Sequence, residues 1–171
     1  MKTVLVTLVT ILLSTTAFAQ DHSGHSHDTH LHSLVNDYLE IKDALVNDDF
    51  EQARQHLSAF ALEIRNNSEM NNHSEHASKH ENHHGKMLEA VASAESAESI
   101  EELRTAFSSI SIELLTAIEN QNYEQMPLYV QFCPMANDGE GAKWLSNEEK
   151  IANPFYGQMM HKCGETVEKV N

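Results

Sequence analysis

Apolar residues recur at three- and four-residue steps in the first half of the chain, which is the spacing of one helix face. One such stretch spans residues 34–45 and a second spans residues 50–64. Ser33 precedes the first as a predicted N-cap, and Asp49 with Gln52 has the spacing of a capping box before the second. The pattern predicts two helices joined by a short turn into an antiparallel hairpin.

The helical pattern breaks at residues 66–86 and then returns. This interruption, NNSEMNNHSEHASKHENHHGK, has no aliphatic run that could enter a core, so it is predicted as a flexible His-rich insert. Periodicity resumes weakly at Met87 and becomes strong after Ser99, which forms a further capping box with Glu102. The helix predicted from there to about residues 120–122 is long enough to run the full height of a bundle.

The last third of the chain is predicted as a loop that carries cysteine and methionine, followed by short helices. The run 128–132 is β-prone but too brief to form the core of a sheet. Ser146 with Glu149 is predicted to cap a short helix, and a last helix is predicted from Pro154 to Gly164. The predicted fold is all-α: an up-and-down bundle of about four helices with the Cys/Met loop across one end.

The first residues have the features of an export signal. Lys2 gives a positively charged N-terminal region, an apolar run spans residues 4–13, and Ala17-Phe18-Ala19 is a small-residue cleavage pattern. We therefore expect a signal peptide over residues 1–19, cleavage before Gln20 and a periplasmic or secreted protein without membrane insertion. A disordered His-rich arm at 20–32 and a helical domain at 33–170 are expected to follow.

The net negative charge limits the kinds of molecule that we expect the chain to bind. The formal net charge is −15 with histidine neutral. Such a chain repels nucleic acid and anionic lipid, whereas it concentrates cations near its surface. Metal ions are therefore the favoured partners.

Histidines are concentrated in the arm and in the insert. Imidazole is largely unprotonated near neutral pH and binds Zn(II), Cu(II) or Ni(II), so these segments are predicted as low-affinity metal-binding sites. The alternative is a solvating arm and a flexible linker with incidental histidines. The candidates are His22, His25, His27, His30, His32, His73, His76, His80, His83 and His84.

Sulfur ligands bracket the segment between the two cysteines. Cys133 is followed by Met135, and Cys163 is preceded by Met160. Polarisable thiols and thioethers suit a soft ion such as Cu(I) better than carboxylates do. In the alternative interpretation the cysteines form a disulfide in an exported domain and the methionines pack a core. Spacing alone leaves both interpretations open.

Four motifs follow one another in this segment: YVQFCPMA at 129–136, GAKWLS at 141–146, NPFYG at 153–157, and the set Met160, Cys163 and Gly164. On these motifs the chain resembles the domain of unknown function 3347 family, a bacterial domain found alone in exported proteins and fused to periplasmic adaptor subunits of heavy-metal efflux pumps. The resemblance covers about residues 34–170, with the His-rich insert as a departure.

The resemblance implies a helical periplasmic domain associated with copper or related metal handling. It also implies Cys133, Met135, Met160 and Cys163 as the ligand set. Met159 and His161 lie outside the family pattern and are additional candidates peculiar to this chain.

Two functions from different classes follow. The first is a periplasmic metal-binding protein, with copper as the expected ion, that buffers metal or transfers it to an efflux system or another periplasmic carrier. The second is a disulfide-stabilised structural or interaction module with no metal function. We do not expect an enzyme, because the sequence has no Cys-x-x-Cys pair, His-Glu-x-x-His motif, phosphate-binding glycine loop or nucleophile elbow.

Overall fold

A computed structural model of the protein describes residues 23–68 and 77–170. Four helices are followed by three short strands and two short 3-10 turns. The helices are α1 (Ser23–Val46), α2 (Phe50–Ser68), α3 (Ala77–Glu95) and α4 (Ile100–Gln121). The strands are β1 (Leu128–Cys133), β2 (Ala142–Ser146) and β3 (Glu165–Val170), and the 3-10 turns are Asn137–Gly139 and Gly157–Met159.

Four helices pack into a bundle, as the sequence predicts. Each helix contacts the next in chain order, and α1 also contacts α4. The capping interactions are those expected, because the Asp49 carboxylate accepts from the Gln52 N–H at 3.0 Å and the Ser99 hydroxyl accepts from the Glu102 N–H at 3.2 Å. Each satisfies a backbone donor that the first helical turn leaves free.

The first helix begins earlier than predicted. Ser33 lies inside α1, so the predicted N-cap at Ser33 is wrong. Leu31 is only 3% exposed and extends the apolar face one turn before Leu34 and Val35. Burial of this leucine favours continuing the helix into the segment predicted as an arm.

Several predicted features lie outside the described residues. These are the signal peptide at 1–19, the candidate ligands His22, His73 and His76, and the side chains of His25, His27, His80 and His83.

Tyr38 ties the helical bundle to the strands. Its ring stacks on Phe107 with centroids 4.8 Å apart, and its hydroxyl lies 2.7 Å from the Ser111 hydroxyl. The same hydroxyl oxygen accepts from the Leu145 N–H at 3.1 Å, which fixes β2 against α1 and α4. Complete burial raises the pKa of Tyr38 above its ordinary value, so the phenol remains neutral.

The strands form an antiparallel sheet in the order β2-β1-β3. The prediction of a purely all-α fold is therefore wrong in its last third, although the fold is mainly helical. Gln131 on the central strand pairs with Trp144 on one side and with Thr166 on the other. These short strands are stable because β2 and β3 pair with the backbone N–H and C=O groups of β1. One face of the sheet also packs on the helical bundle.

The two helices predicted near the C-terminus are also wrong. Residues after Ser146 form a bend, and the segment from Pro154 contains turns and one 3-10 turn before β3. Gly157 has φ +52° and Gly164 has φ +128°, conformations that end any helix at those positions. Glycine therefore gives the segment a looped path in which side chains three and four residues apart do not share a face.

An arginine of α4 holds the looped segment against the helical hairpin. The Arg104 guanidinium donates to the Leu45 carbonyl at 2.8 Å, to the Pro154 carbonyl at 2.9 Å and to the Asp48 carboxylate at 2.5 Å. The hydrogen bond from Arg104 holds the pKa of Asp48 below its usual value. One side chain thus joins the α1–α2 turn, α4 and the loop that leads to Cys163.

Over residues 23–68 and 77–170, no helix has both the length and the apolar character needed to cross a membrane.

Candidate functional site

The fold brings the two cysteines together from different elements. Cys133 is the last residue of β1, and Cys163 lies in the turn just before β3. Their Sγ atoms are 2.8 Å apart, and both residues are free cysteines. The candidate site therefore has two soft sulfur ligands in direct contact.

Cys133 is held rigidly. It ends the central strand of the sheet, where it pairs with Ala142 of β2, and its side chain is completely buried. Its carbonyl accepts from the Ala136 N–H at 3.4 Å, which closes the turn at Pro134. Strand pairing and this turn together fix the position of the first sulfur.

The second cysteine is positioned by Asn153, a residue that is completely buried. The Asn153 side-chain amide donates to the Cys163 carbonyl at 2.8 Å, and its backbone N–H donates to the His161 carbonyl at 2.9 Å. Its side-chain oxygen accepts from the Phe155 N–H at 2.8 Å and from the Tyr156 N–H at 3.2 Å. Asn153 thus orders both its own loop and the turn that carries Cys163.

Glycine is required immediately after Cys163. At Gly164 a Cβ atom would lie 2.7 Å from the Phe132 carbonyl oxygen and 2.9 Å from Cη2 of Trp144. The φ of +128° is also one that other residues rarely adopt. This close approach lets the turn lie directly on β1, where Cys163 can reach Cys133.

Tyr156 links the two turns that carry the sulfurs. Its hydroxyl donates to the Met135 carbonyl at 2.5 Å, two residues beyond Cys133. Because Asn153 caps the Tyr156 N–H, the cysteine turns share one hydrogen-bonded frame. Sequence reasoning missed both Asn153 and Tyr156 as site residues, although the NPFYG motif was the signal that could have indicated them.

Contact with Cys133 makes the Cys163 thiol less acidic. Hydrogen bonding to Cys133 raises the pKa of Cys163, and burial and the negative charge of a Cys133 thiolate raise it further. Two thiolates in contact repel each other, so the pair favours a form with a bridging proton. A metal ion or a covalent bond between the sulfurs would remove the same repulsion.

The other predicted sulfur-site ligands differ in their exposure to solvent. Met135 is 51% exposed and Met159 is 82% exposed, whereas Met160 and His161 are half-buried. The Cys163 N–H donates to the Met160 carbonyl at 2.9 Å, so these two residues share one tight turn. The structure therefore brings the two cysteines together and leaves Met135 and Met159 largely in solvent.

Among the described residues, the cysteine pair has no third strong ligand beside it. In the part of the chain that the structure describes, no three or more His, Cys, Asp or Glu side chains are grouped so that they could hold a metal ion. A site at the cysteines would therefore have two strong ligands, with any further donors coming from methionine or from outside the described residues.

Three candidate histidines contact other elements of the fold. His30 Nδ1 lies 2.8 Å from the Glu63 carboxylate, His32 Nδ1 lies 2.7 Å from the Tyr123 hydroxyl, and His84 Nε2 lies 3.0 Å from the Ile64 carbonyl oxygen. Each contact occupies one ring nitrogen. These histidines therefore contribute to packing of the bundle, and a metal ion could use only the second nitrogen without breaking that contact.

A protein-family profile matches the helical part of the chain. The profile described as "Protein of unknown function (DUF3347)" matches residues 34–125. The match covers most of the helical bundle and ends before β1, so both cysteines lie beyond it. Comparison with curated proteins and with solved structures gives no match. Because the profile matches more than half of the 171 residues, the chain belongs to the DUF3347 family.

Proposed function

We propose that this protein is an exported metal-binding protein whose reduced Cys133–Cys163 pair binds Cu(I) for buffering or for transfer to an efflux system. The observation that carries the proposal is the contact between two sulfurs 2.8 Å apart, one from β1 and one from the turn before β3. Thiolates are preferred ligands of Cu(I). The proposed role is binding and transfer rather than catalysis.

Coordination requires a small opening of the pair. With metal–sulfur bonds of about 2.3 Å, two thiolates on one ion are separated by roughly 3.8 Å in a tetrahedral arrangement and by about 4.6 Å in a linear one. The Cys163 turn is the side that would move, because β1 fixes Cys133 within the sheet. Met135 and Met160 lie in the two cysteine turns and are the proposed supplementary thioether donors.

Charge supports collection of cations by the rest of the chain. The net charge of −15 raises the local concentration of metal ions around the protein. In this proposal the His-rich segments hold Cu(II) or Zn(II) at lower affinity, and the sulfur pair holds Cu(I). The export signal predicted at residues 1–19 would place this activity in the periplasm or outside the cell.

The same contact supports a second candidate function, a disulfide-stabilised interaction module. A disulfide requires the sulfurs to approach to about 2.05 Å, a shift of less than about 1 Å from their positions here. Oxidising surroundings outside the cytoplasm favour such bonds. The reduced pair would then be a precursor of a structural cross-link between β1 and the β3 turn.

Anaerobic Cu(I) titration of the mature protein against a competing chelator tests the metal proposal. We expect binding of one Cu(I) per reduced chain. Cys133→Ser should weaken that binding by at least about 100-fold, because loss of a direct ligand should exceed the 10- to 100-fold cost typical of second-shell changes. Met160→Leu should cause a smaller loss.

Met126→Leu is the matched control for the methionine. Met126 is a partly buried methionine that precedes β1, whereas Cys133 ends that strand. This control should leave Cu(I) affinity unchanged. If the folded protein does not bind Cu(I) although its thiols are demonstrably reduced, the metal proposal is overturned. The disulfide-stabilised interaction module is then the remaining candidate function.

A further inference from the structure

The two sulfurs differ in their access to solvent. The Cys133 side chain is 0% exposed, while Cys163 is partly exposed in a turn next to the exposed Lys162. An external reagent can therefore reach Cys163 without unfolding the sheet. It can reach Cys133 only after local opening.

The two backbones also differ in how they are held. Cys133 belongs to the central strand and pairs with β2, whereas the residue before it pairs with Glu165 of β3. The Cys163 backbone lies outside the strands, with its N–H bonded to the Met160 carbonyl and its carbonyl bonded to Asn153. One sulfur is therefore fixed at the end of the central strand, and the other is carried by a turn outside the sheet.

From this asymmetry we infer that the pair performs stoichiometric thiol–disulfide exchange, with Cys163 as the attacking sulfur and Cys133 as the resolving sulfur. The co-reactant is a low-molecular-weight disulfide of the glutathione type. The inference needs the thiol pair but no bound metal, so it is independent of Cu(I) binding. It adds a route by which the dithiol form and the disulfide form interconvert.

The exchange proceeds in two balanced steps. In the singly deprotonated pair the shared proton moves to Cys133, and the Cys163 thiolate attacks one sulfur of the external disulfide. A Cys163–S–S–R bond forms, and the other half leaves as a thiolate that takes up a proton. The Cys133 sulfur loses its proton and attacks Cys163 Sγ, the intramolecular disulfide forms, and the second RS⁻ leaves. Two electrons pass from the protein dithiol to the external disulfide, which is reduced to two thiols.

Proximity favours the second step. The resolving sulfur already lies 2.8 Å from Cys163 Sγ, so resolution is intramolecular and needs no second encounter. The mixed disulfide should therefore remain scarce in the wild-type protein. Removing Cys133 should make it accumulate.

The test uses reduced mature protein, oxidised glutathione, acid quenching and intact-mass analysis. Wild-type protein should convert to the form that has lost two hydrogens, with little glutathione adduct. Cys133→Ser should accumulate a stable adduct mapped to Cys163. Cys163→Ser should react at least about tenfold more slowly than Cys133→Ser, because its remaining thiol, Cys133, becomes accessible only after local opening.

Equal adduct formation by the two variants, or a wild-type protein that stops at the adduct, would overturn the inference. A second measurement avoids dependence on the folding of either variant. Reduced wild-type protein is treated briefly with less than one equivalent of an alkylating agent, and the label is mapped by peptide analysis. Label mainly on Cys163 supports the inference, and label mainly on Cys133 or shared equally contradicts it.

The outcome is separable from that of the Cu(I) titration. If the protein undergoes the exchange described but does not bind Cu(I), this inference stands and the metal-binding proposal fails. If the protein binds Cu(I) through both sulfurs but reacts first at Cys133, the metal-binding proposal stands and the proposed order of exchange is wrong.

Discussion

Replacing Asn153 by alanine should lower the free energy of unfolding by about 3 kcal/mol, because each buried polar group left unpaired costs about 1 to 3 kcal/mol. The substitution would remove the partner of the Cys163 carbonyl and of the Phe155 and Tyr156 N–H groups. Asn153 is completely buried, so water cannot replace these bonds without opening the loop. Urea denaturation of the reduced protein, with an unchanged m-value as a check on two-state behaviour, measures the loss.

Asn147→Ala is the matched control for this substitution. Asn147 is an exposed asparagine in the bend after β2, and its replacement should change stability by less than about 0.5 kcal/mol. The Asn153 variant should also form its Cys133–Cys163 disulfide more slowly than wild type, since the Cys163 turn loses its anchor. A stability loss no larger than that of the control would show that Asn153 does not hold the loop.

Closing a bond between Cys133 and Cys163 should raise the free energy of unfolding by roughly 3 to 4 kcal/mol, because the cross-link restricts a loop of about thirty residues in the unfolded chain. The native structure needs little rearrangement, since the two sulfurs already touch. Denaturation of matched oxidised and reduced samples, each with its thiol content verified, measures this difference.

Cys133→Ala should abolish the dependence of stability on the redox state. This control separates the cross-link from effects of the oxidant or reductant on the rest of the protein. Equal denaturation midpoints for wild-type samples with and without the verified bond would contradict the positioning of the pair described here.

The helices could be predicted from sequence because their signals are local. Apolar residues at helical spacing and the caps at Asp49 and Ser99 lie within a few residues of the turns that they specify. The start of α1 was misplaced because Ser33 has a capping side chain but lies within an apolar face that Leu31 extends.

The sheet could not be predicted because its stability is non-local. β3 reads ETVEKV and is largely exposed, so its sequence shows no buried strand. Its conformation depends on pairing with β1, some thirty residues earlier in the chain. The β-prone run at 128–132 does form a strand, but the prediction that it is too brief for the core of a sheet is wrong, because β1 is the central strand. Its two partners cannot be seen from that run alone.

The two cysteines could be singled out from the sequence, and the contact between them could not. Residue types indicated Cys133 and Cys163, yet only the fold shows that these sulfurs touch. Met159 lies four residues before Cys163, a spacing that would place both on one face of the helix predicted from Pro154 to Gly164. Because Gly157 and Gly164 give that segment a looped path, no helix forms there and Met159 is 82% exposed.

Copper K-edge X-ray absorption of the Cu(I)-loaded mature protein tests the proposed sulfur site most directly. We expect a first shell that contains two sulfur atoms at about 2.3 Å, with one of them lost in Cys133→Ser. A first shell of nitrogen and oxygen alone, unchanged by Cys133→Ser, would place the metal on the histidines and contradict copper binding by the cysteine pair.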